Sequence, residues 1–161
     1  MQDRELYIIA HNIRSAHNVG AIFRTADGAG VAKIYLSGYS QQPAPEDKEN
    51  KTKPEKMLEK TALGAEESVA WERAKDLPAL IEKLKKAGVS IVALEKTATS
   101  VDIGIFKPAF PMALILGHEV DGVKDDILEV CDAVIEIPMR GQKESLNVSV
   151  AAGIAMYKIL G

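Results

Sequence analysis

A chain of 161 residues, 47% hydrophobic and 27% charged, is sized and composed for one globular domain with a single core. Its net charge of −3 argues against a nucleic-acid coat protein, because neutralising phosphates favours an excess of Lys and Arg, yet it leaves room for a local basic patch. No apolar run approaches the ~18 residues of a membrane span, the opening Met1 to Glu5 is polar rather than signal-like, and the lone Cys131 has no disulfide partner, so a reducing cytoplasm is the expected setting.

Apolar segments of strand length alternate with helical ones. Leu6 to Ala10 is predicted as a buried strand, and Ser15 to Gly28 as a helix with Ser15 at its cap. Val31 to Leu36 is the next strand. The stretch from Ser37 to Lys60 breaks the rhythm. It opens with Gln41-Gln42-Pro43-Ala44-Pro45 and continues with balanced Lys and Glu residues, which predicts a solvated loop and short helix, with a lid over a substrate as the alternative. Asp76 caps a helix with Pro78 in its first turn, running to Lys86. Strands are predicted at Val89 to Leu94, Met112 to Leu116 and Ala133 to Ile137. A short helix lies at Lys124 to Val130, with Cys131 behind it as a packing residue. A closing helix spans Ser145 to Leu160. Continuously apolar strands separated by helices indicate an α/β fold with a mostly parallel sheet covered on both faces.

Three segments carry polar residues where such a fold places its ligands, at strand ends and helix starts. The first, Asn12 to Ala26, holds Asn18, Gly20 and Arg24. The second runs from the strand ending at Leu116 through Gly117, His118 and Glu119 to Gly122. The third joins Ile137-Pro138-Met139-Arg140-Gly141 to Ser145-Leu146-Asn147, at the head of the closing helix. Ser145 is placed to cap that helix and Asn147 one turn inside it. The helix is apolar on nearly all sides, so it must be buried on more than one face. Ala151, Ala152, Gly153 and Ala155 allow close approach by another helix. His11, His17 and His118 lack the spacing of a metal site, and no metal is expected. Gly20, Gly28 and Gly30 do not form the glycine fingerprint of a dinucleotide-binding oxidoreductase.

In this order, the three segments resemble motifs one, two and three of the SpoU-type RNA methyltransferases of the SPOUT class. The resemblance covers the whole chain, and the third motif, Ile-Pro-Met-x-Gly followed by Ser-Leu-Asn-Val-Ser, is the most specific. It implies a single 1–161 SPOUT domain without an added RNA-binding domain, ending in a C-terminal trefoil knot. Physical expectation alone would oppose a knot, because connections rarely thread one another. It also implies a homodimer that transfers a methyl group from S-adenosylmethionine to a ribose 2′-hydroxyl of tRNA or rRNA; the small, acidic core makes a tRNA-sized target the expectation. Carried over by motif, Asn18, Arg24, Glu119, Ser145 and Asn147 form the catalytic group. Leu116, Gly117, Ile137, Met139 and Leu146 hold the cofactor. Arg14, Arg140 and Lys143, with the lysines after Pro45, would meet RNA. Arg24 is open to two roles: general base, or clamp on an RNA phosphate. The second role suits a guanidinium, which is ordinarily a donor only. Base methylation and a catalytically silent RNA-binding or ribosome-assembly module stand as alternatives.

Overall fold

The computed structural model describes residues 4–161. Seven strands alternate with six helices: β1 (Leu6–His11), α1 (Ala16–Ala29), β2 (Lys33–Ser37), α2 (Lys53–Ala62), α3 (Ala65–Ser68), β3 (Trp71–Ala74), α4 (Leu77–Lys86), β4 (Ser90–Leu94), β5 (Val101–Asp102), β6 (Met112–Leu116), α5 (Asp125–Glu129), β7 (Ala133–Glu136) and α6 (Val148–Leu160). The strands form one sheet in the order β3-β2-β1-β6-β4-β7-β5, and every pairing is parallel. Parallel strands need crossover connections, which put helices on both faces.

The period-2 alternation of the strands divides their side chains between two cores. Leu6, Ile8 and Ala10 of β1, with Met112, Leu114 and Leu116 of β6, face a core shared with Val19, Ile22 and Phe23 of α1 and Ala152, Ala155, Met156 and Ile159 of α6. Ile9, Ala113 and Ile115 face the other, shared with Leu77, Leu80, Ile81 and Leu84 of α4 and Ile127 of α5. Local signals set the helix ends. Ser15 caps α1 by accepting from the Asn18 N–H, and Gly30 ends it at φ 83°, a conformation that costs glycine little. Asp76 caps α4, with Pro78 in its first turn.

The expected solvated loop and short helix after Ser37 take definite form. Residues 38–52 are irregular. α2 then starts with a capping box between Thr52 and Glu55 and docks on α1. Gly20 makes that docking possible, since a Cβ there would stand 2.3 Å from the Leu58 carbonyl oxygen. Leu58 is fully buried. The alternating charges pair as Lys48 with Glu55 and Lys51 with Glu59, both at 2.6 Å. Lys48 and the backbone of Thr52 together hold the Glu55 carboxyl down at about 2.

The structure corrects the head of α6. Asn147, not Ser145, is its N-cap: Asn147 Oδ1 accepts from the Ser149 N–H at 2.8 Å, and Ser145 and Leu146 belong to the preceding exposed segment. Cys131 is half-buried. Its Sγ–H points at the Ile127 carbonyl, 3.3 Å away, and burial pushes the thiol up to about 11, so it is a packing residue rather than a nucleophile. α6 lays its small residues on α1, with Gly153 against Thr25. Arg4 ties down the other end of α6 by donating to the Leu160 and Ile159 carbonyls at 3.0 and 3.4 Å. Val150 and Ile154 of α6 are exposed, as is Tyr157, whose hydroxyl lies beside Gly28 of α1. The predicted burial on more than one face is therefore incomplete within the single chain.

Candidate active site

The carboxyl ends of β4, β6 and β7 open onto one cleft. Its apolar lining comes from Leu94, Leu116, Ile137, Met139, Leu146 and Val148. Its charged lining is Glu95, Glu119, Glu136 and Glu144 against the single ammonium of Lys96. All five positions expected to hold a cofactor, Leu116, Gly117, Ile137, Met139 and Leu146, line this cleft, as do Glu119 and Ser145. Gly117 is needed there because the chain folds back on itself. A Cβ at Gly117 would fall 2.5 Å from the backbone carbon of Gly122.

Two loops shape the rim. In the first, His118 and Gly122 form an isolated bridge, and His118 Nδ1 accepts the N–H groups of Val120 and Asp121 at 3.0 and 2.9 Å. With its Nδ1 facing two backbone donors, His118 closes a turn. Glu95 clamps the end of the same loop by accepting from the Val123 N–H at 2.9 Å. In the second, between β4 and β5, Ser100 Oγ donates to Glu136 at the end of β7, 3.1 Å away.

Behind the rim, the three predicted motifs meet in a chain of hydrogen bonds. Glu119 accepts from the N–H groups of Arg14 and Ser15, both at 3.1 Å, and from Asn18 Nδ2 at 3.3 Å. Asn18 Oδ1 in turn accepts from Asn147 Nδ2 at 3.3 Å. Asn18 is only 7% exposed, so its carboxamide must be paired, and each end is. Burial pushes the Glu119 carboxyl up, but its own backbone N–H, those of Ser15 and Arg14, and the Asn18 amide outweigh it. The net direction is down, and Glu119 stays an anion and an acceptor.

Arg24 stands apart. It is exposed on α1 and lines a different groove with His17, Met57, Lys60, Thr61 and Tyr157. It takes part in no ion pair among the described residues. The two concavities carry opposite charge: carboxylates around the first, cations and, among the described residues, no carboxylate around the second. Arg14, Arg140 and Lys143 are all exposed. No group of three or more His, Cys, Asp or Glu side chains among the described residues is arranged to hold a metal. The sequence reading missed Glu95, Glu136 and Glu144. The first two sit at the carboxyl ends of predicted parallel strands, where ligands bind in such sheets, and that rule would have found them.

The sequence model of the SpoU rRNA Methylase family matches residues 5–157. The chain belongs to this family. It is 36% identical over 153 residues to the 23S rRNA (guanosine-2′-O-)-methyltransferase RlmB of Vibrio parahaemolyticus, covering 95% of this chain and 58% of that protein. It is 33% identical over 157 residues to the tRNA (guanosine(18)-2′-O)-methyltransferase of Aquifex aeolicus, covering 98% and 69%. The chain thus spans a little under three-fifths of the length of the first of these relatives. Among solved structures, it superposes on the AdoMet-bound rRNA methyltransferase from Sinorhizobium meliloti with a TM-score of 0.85 at 28% identity, covering 98% of this chain and 56% of that one. The A. aeolicus TrmH/SpoU tRNA modifying enzyme gives 0.81 at 32% identity, covering 98% and 75%. Membership of the SpoU family accounts for the meeting of the three motifs through Asn18, Glu119 and Asn147.

Proposed function

We propose that this SpoU-family chain carries the catalytic centre of an S-adenosylmethionine-dependent RNA methyltransferase acting on a ribose 2′-hydroxyl. The observation that carries the reading is the charge and shape of the cleft. Four carboxylates around apolar walls suit a donor with a cationic sulfonium and ammonium and a flat neutral heterocycle. The same lining disfavours the phosphates of a nucleotide cofactor. Leu116, Ile137 and Leu146 supply apolar surface for the heterocycle, and Gly117 and Met139 supply main chain. The cofactor, when bound, offers an electrophilic methyl group for in-line displacement by an alcohol.

The residues of the chain have the remaining work. The acceptor is a poor nucleophile whose proton must leave as it attacks. Glu119, Asn18 and Asn147 fix the relative positions of the first motif, the loop after β6 and the head of α6, and positioning of this kind can supply much of a rate gain. Arg24 is the side chain suited to hold an RNA phosphate and to stabilise alkoxide character at the attacking oxygen. Within one chain it faces the cationic groove, not the cleft. A second copy packed over the exposed Val150, Ile154 and Tyr157 of α6 would bring the Arg24 of one protomer toward the cleft of the other. The proposed active form is therefore a homodimer, with the C-terminal segment knotted as in the family. A tRNA is the proposed target, with rRNA, the acceptor in the name of the V. parahaemolyticus relative, as the alternative.

Calorimetric titration tests the cleft. S-adenosylmethionine should bind, whereas NADH and ATP should not. Nucleotide binding without S-adenosylmethionine binding would end the proposal.

A further inference from the structure

Tyr39 has no task in the methyl-transfer reading. It is 58% exposed, yet the chain around it is built to hold still. The Tyr39 N–H donates to Asn12 Oδ1 at 3.2 Å. Asn12 has left-handed backbone, φ 54°, which few non-glycine residues adopt. Gly38, just before the tyrosine, has φ 62° and packs so tightly on Asn12 that a Cβ would fall 1.7 Å from Oδ1. Ser40, just after it, is 1% exposed. Its hydroxyl donates to the Ala10 carbonyl at 2.9 Å and accepts the Ile13 N–H at 2.8 Å. Arg73 reaches over from β3 to donate to the carbonyls of Ser40 and Gly38. An exposed ring is thus carried on a turn tied to both β1 and β3. Outlying backbone conformations persist only where the surroundings over-determine them, and they gather at functional sites.

The ring also stands at the rim of the cleft. Tyr39 meets His118 edge-on, with centroids 6.3 Å apart and planes at 78°, and His118 lines the cleft. The residue that holds Tyr39, Asn12, opens the same short segment whose Arg14 and Ser15 N–H groups bind Glu119. Val120, on the His118 loop, is 83% exposed and adds apolar surface to the rim.

We infer that Tyr39 is a substrate-positioning residue, a stacking platform for an unpaired base of the RNA at or beside the nucleotide whose ribose is methylated. This inference rests on the methyltransferase reading above. The carboxylates of the cleft repel phosphate, so an uncharged contact suits the part of the strand that reaches this rim, with cations left for its phosphates. A base face on an aromatic ring meets that need, and unpaired bases are the part of RNA that aromatic side chains recognise. The exposed Arg14 stands ready for the accompanying phosphates. Rigidity of the turn matters because a platform that is already ordered loses less freedom when the base arrives.

The test is steady-state methyl transfer to total RNA from cells lacking this protein, at saturating S-adenosylmethionine, with wild type, Tyr39→Ala, Tyr39→Phe and Tyr39→Trp. Loss of one base–aromatic stack predicts that KM for RNA rises roughly ten- to a hundred-fold in Tyr39→Ala. Binding of the cofactor product S-adenosylhomocysteine and kcat should hold, and Phe and Trp should restore KM. A purely structural role would instead weaken product binding and thermal stability, and Trp would not rescue it. An unchanged KM in Tyr39→Ala, or a raised KM that neither Phe nor Trp restores, overturns the inference while methyl transfer stands. A wild type that transfers no methyl group to RNA fails at the earlier step, the methyltransferase reading itself.

Discussion

Glu119→Ala removes the acceptor on which three separate donors converge. Two are backbone N–H groups at the entry to α1, from Arg14 and Ser15, and the third is the Asn18 amide. The site is partly open to water, so each abandoned N–H costs nearer the net value of a hydrogen bond, about 1 kcal/mol, than the full penalty of burial. The sum is roughly 2 kcal/mol for the two backbone donors, with the buried Asn18 adding to it. With a urea slope of about 2 kcal/mol per molar, the midpoint should fall by about 1 M. Glu119→Gln keeps an acceptor oxygen but loses the charge assistance, and should fall about half as far. The pH dependence gives an independent check. The folded carboxyl lies below its ordinary 4.5, so the stabilisation is complete above that value and is lost as pH falls through the lower folded value. The stability curves of wild type and Glu119→Ala should therefore converge in acid. Pairing Glu119→Ala with Asn18→Ala should give a coupling above about 0.5 kcal/mol, as expected for residues in one network. Additive effects, or a Glu119→Ala midpoint equal to wild type at neutral pH, would refute the claim that this carboxylate holds the motifs together.

Three further perturbations address other parts of the site. Gly117→Ala sets a methyl group 2.5 Å from the Gly122 backbone; the loop should be displaced and S-adenosylmethionine affinity should drop at least about tenfold by calorimetry, roughly 1.4 kcal/mol. Asn147→Ala removes the α6 cap and the bond to Asn18, and should cost about 1 kcal/mol of stability by denaturation with weakened cofactor binding. Arg24→Ala should abolish transfer in a radiolabel assay while leaving cofactor affinity intact, since Arg24 does not line the cleft; full turnover in this variant would remove Arg24 from the mechanism.

The two-sided parallel sheet was legible because its central strands are unbroken apolar runs, as in Met112–Leu116, where every residue is buried. β3 and β5 were not. β3 reads Trp-Glu-Arg-Ala, with its glutamate exposed at the sheet edge, and β5 has two exposed residues, so neither carries a hydrophobic signal. The head of α6 was misread because Ser145 and Asn147 are both good caps, and local sequence does not say which one the chain turns at. Here the bond to Asn18, 129 residues away, favours Asn147. The cofactor positions came from the family motif and fell together in one cleft. The carboxylates Glu95 and Glu136 belong to no motif, because their role depends on which strands end side by side. β7 lies between β4 and β5, an order that no local pattern announces.

Nucleoside mass spectrometry tests the proposed chemistry most directly. RNA from cells lacking this protein would be incubated with the purified chain and S-adenosylmethionine bearing a deuterated methyl group, then digested to nucleosides. The label should appear on a ribose 2′-oxygen, from tRNA, and should vanish with Arg24→Ala. Label on a base, or none in any RNA with a protein that binds the cofactor, would contradict the account.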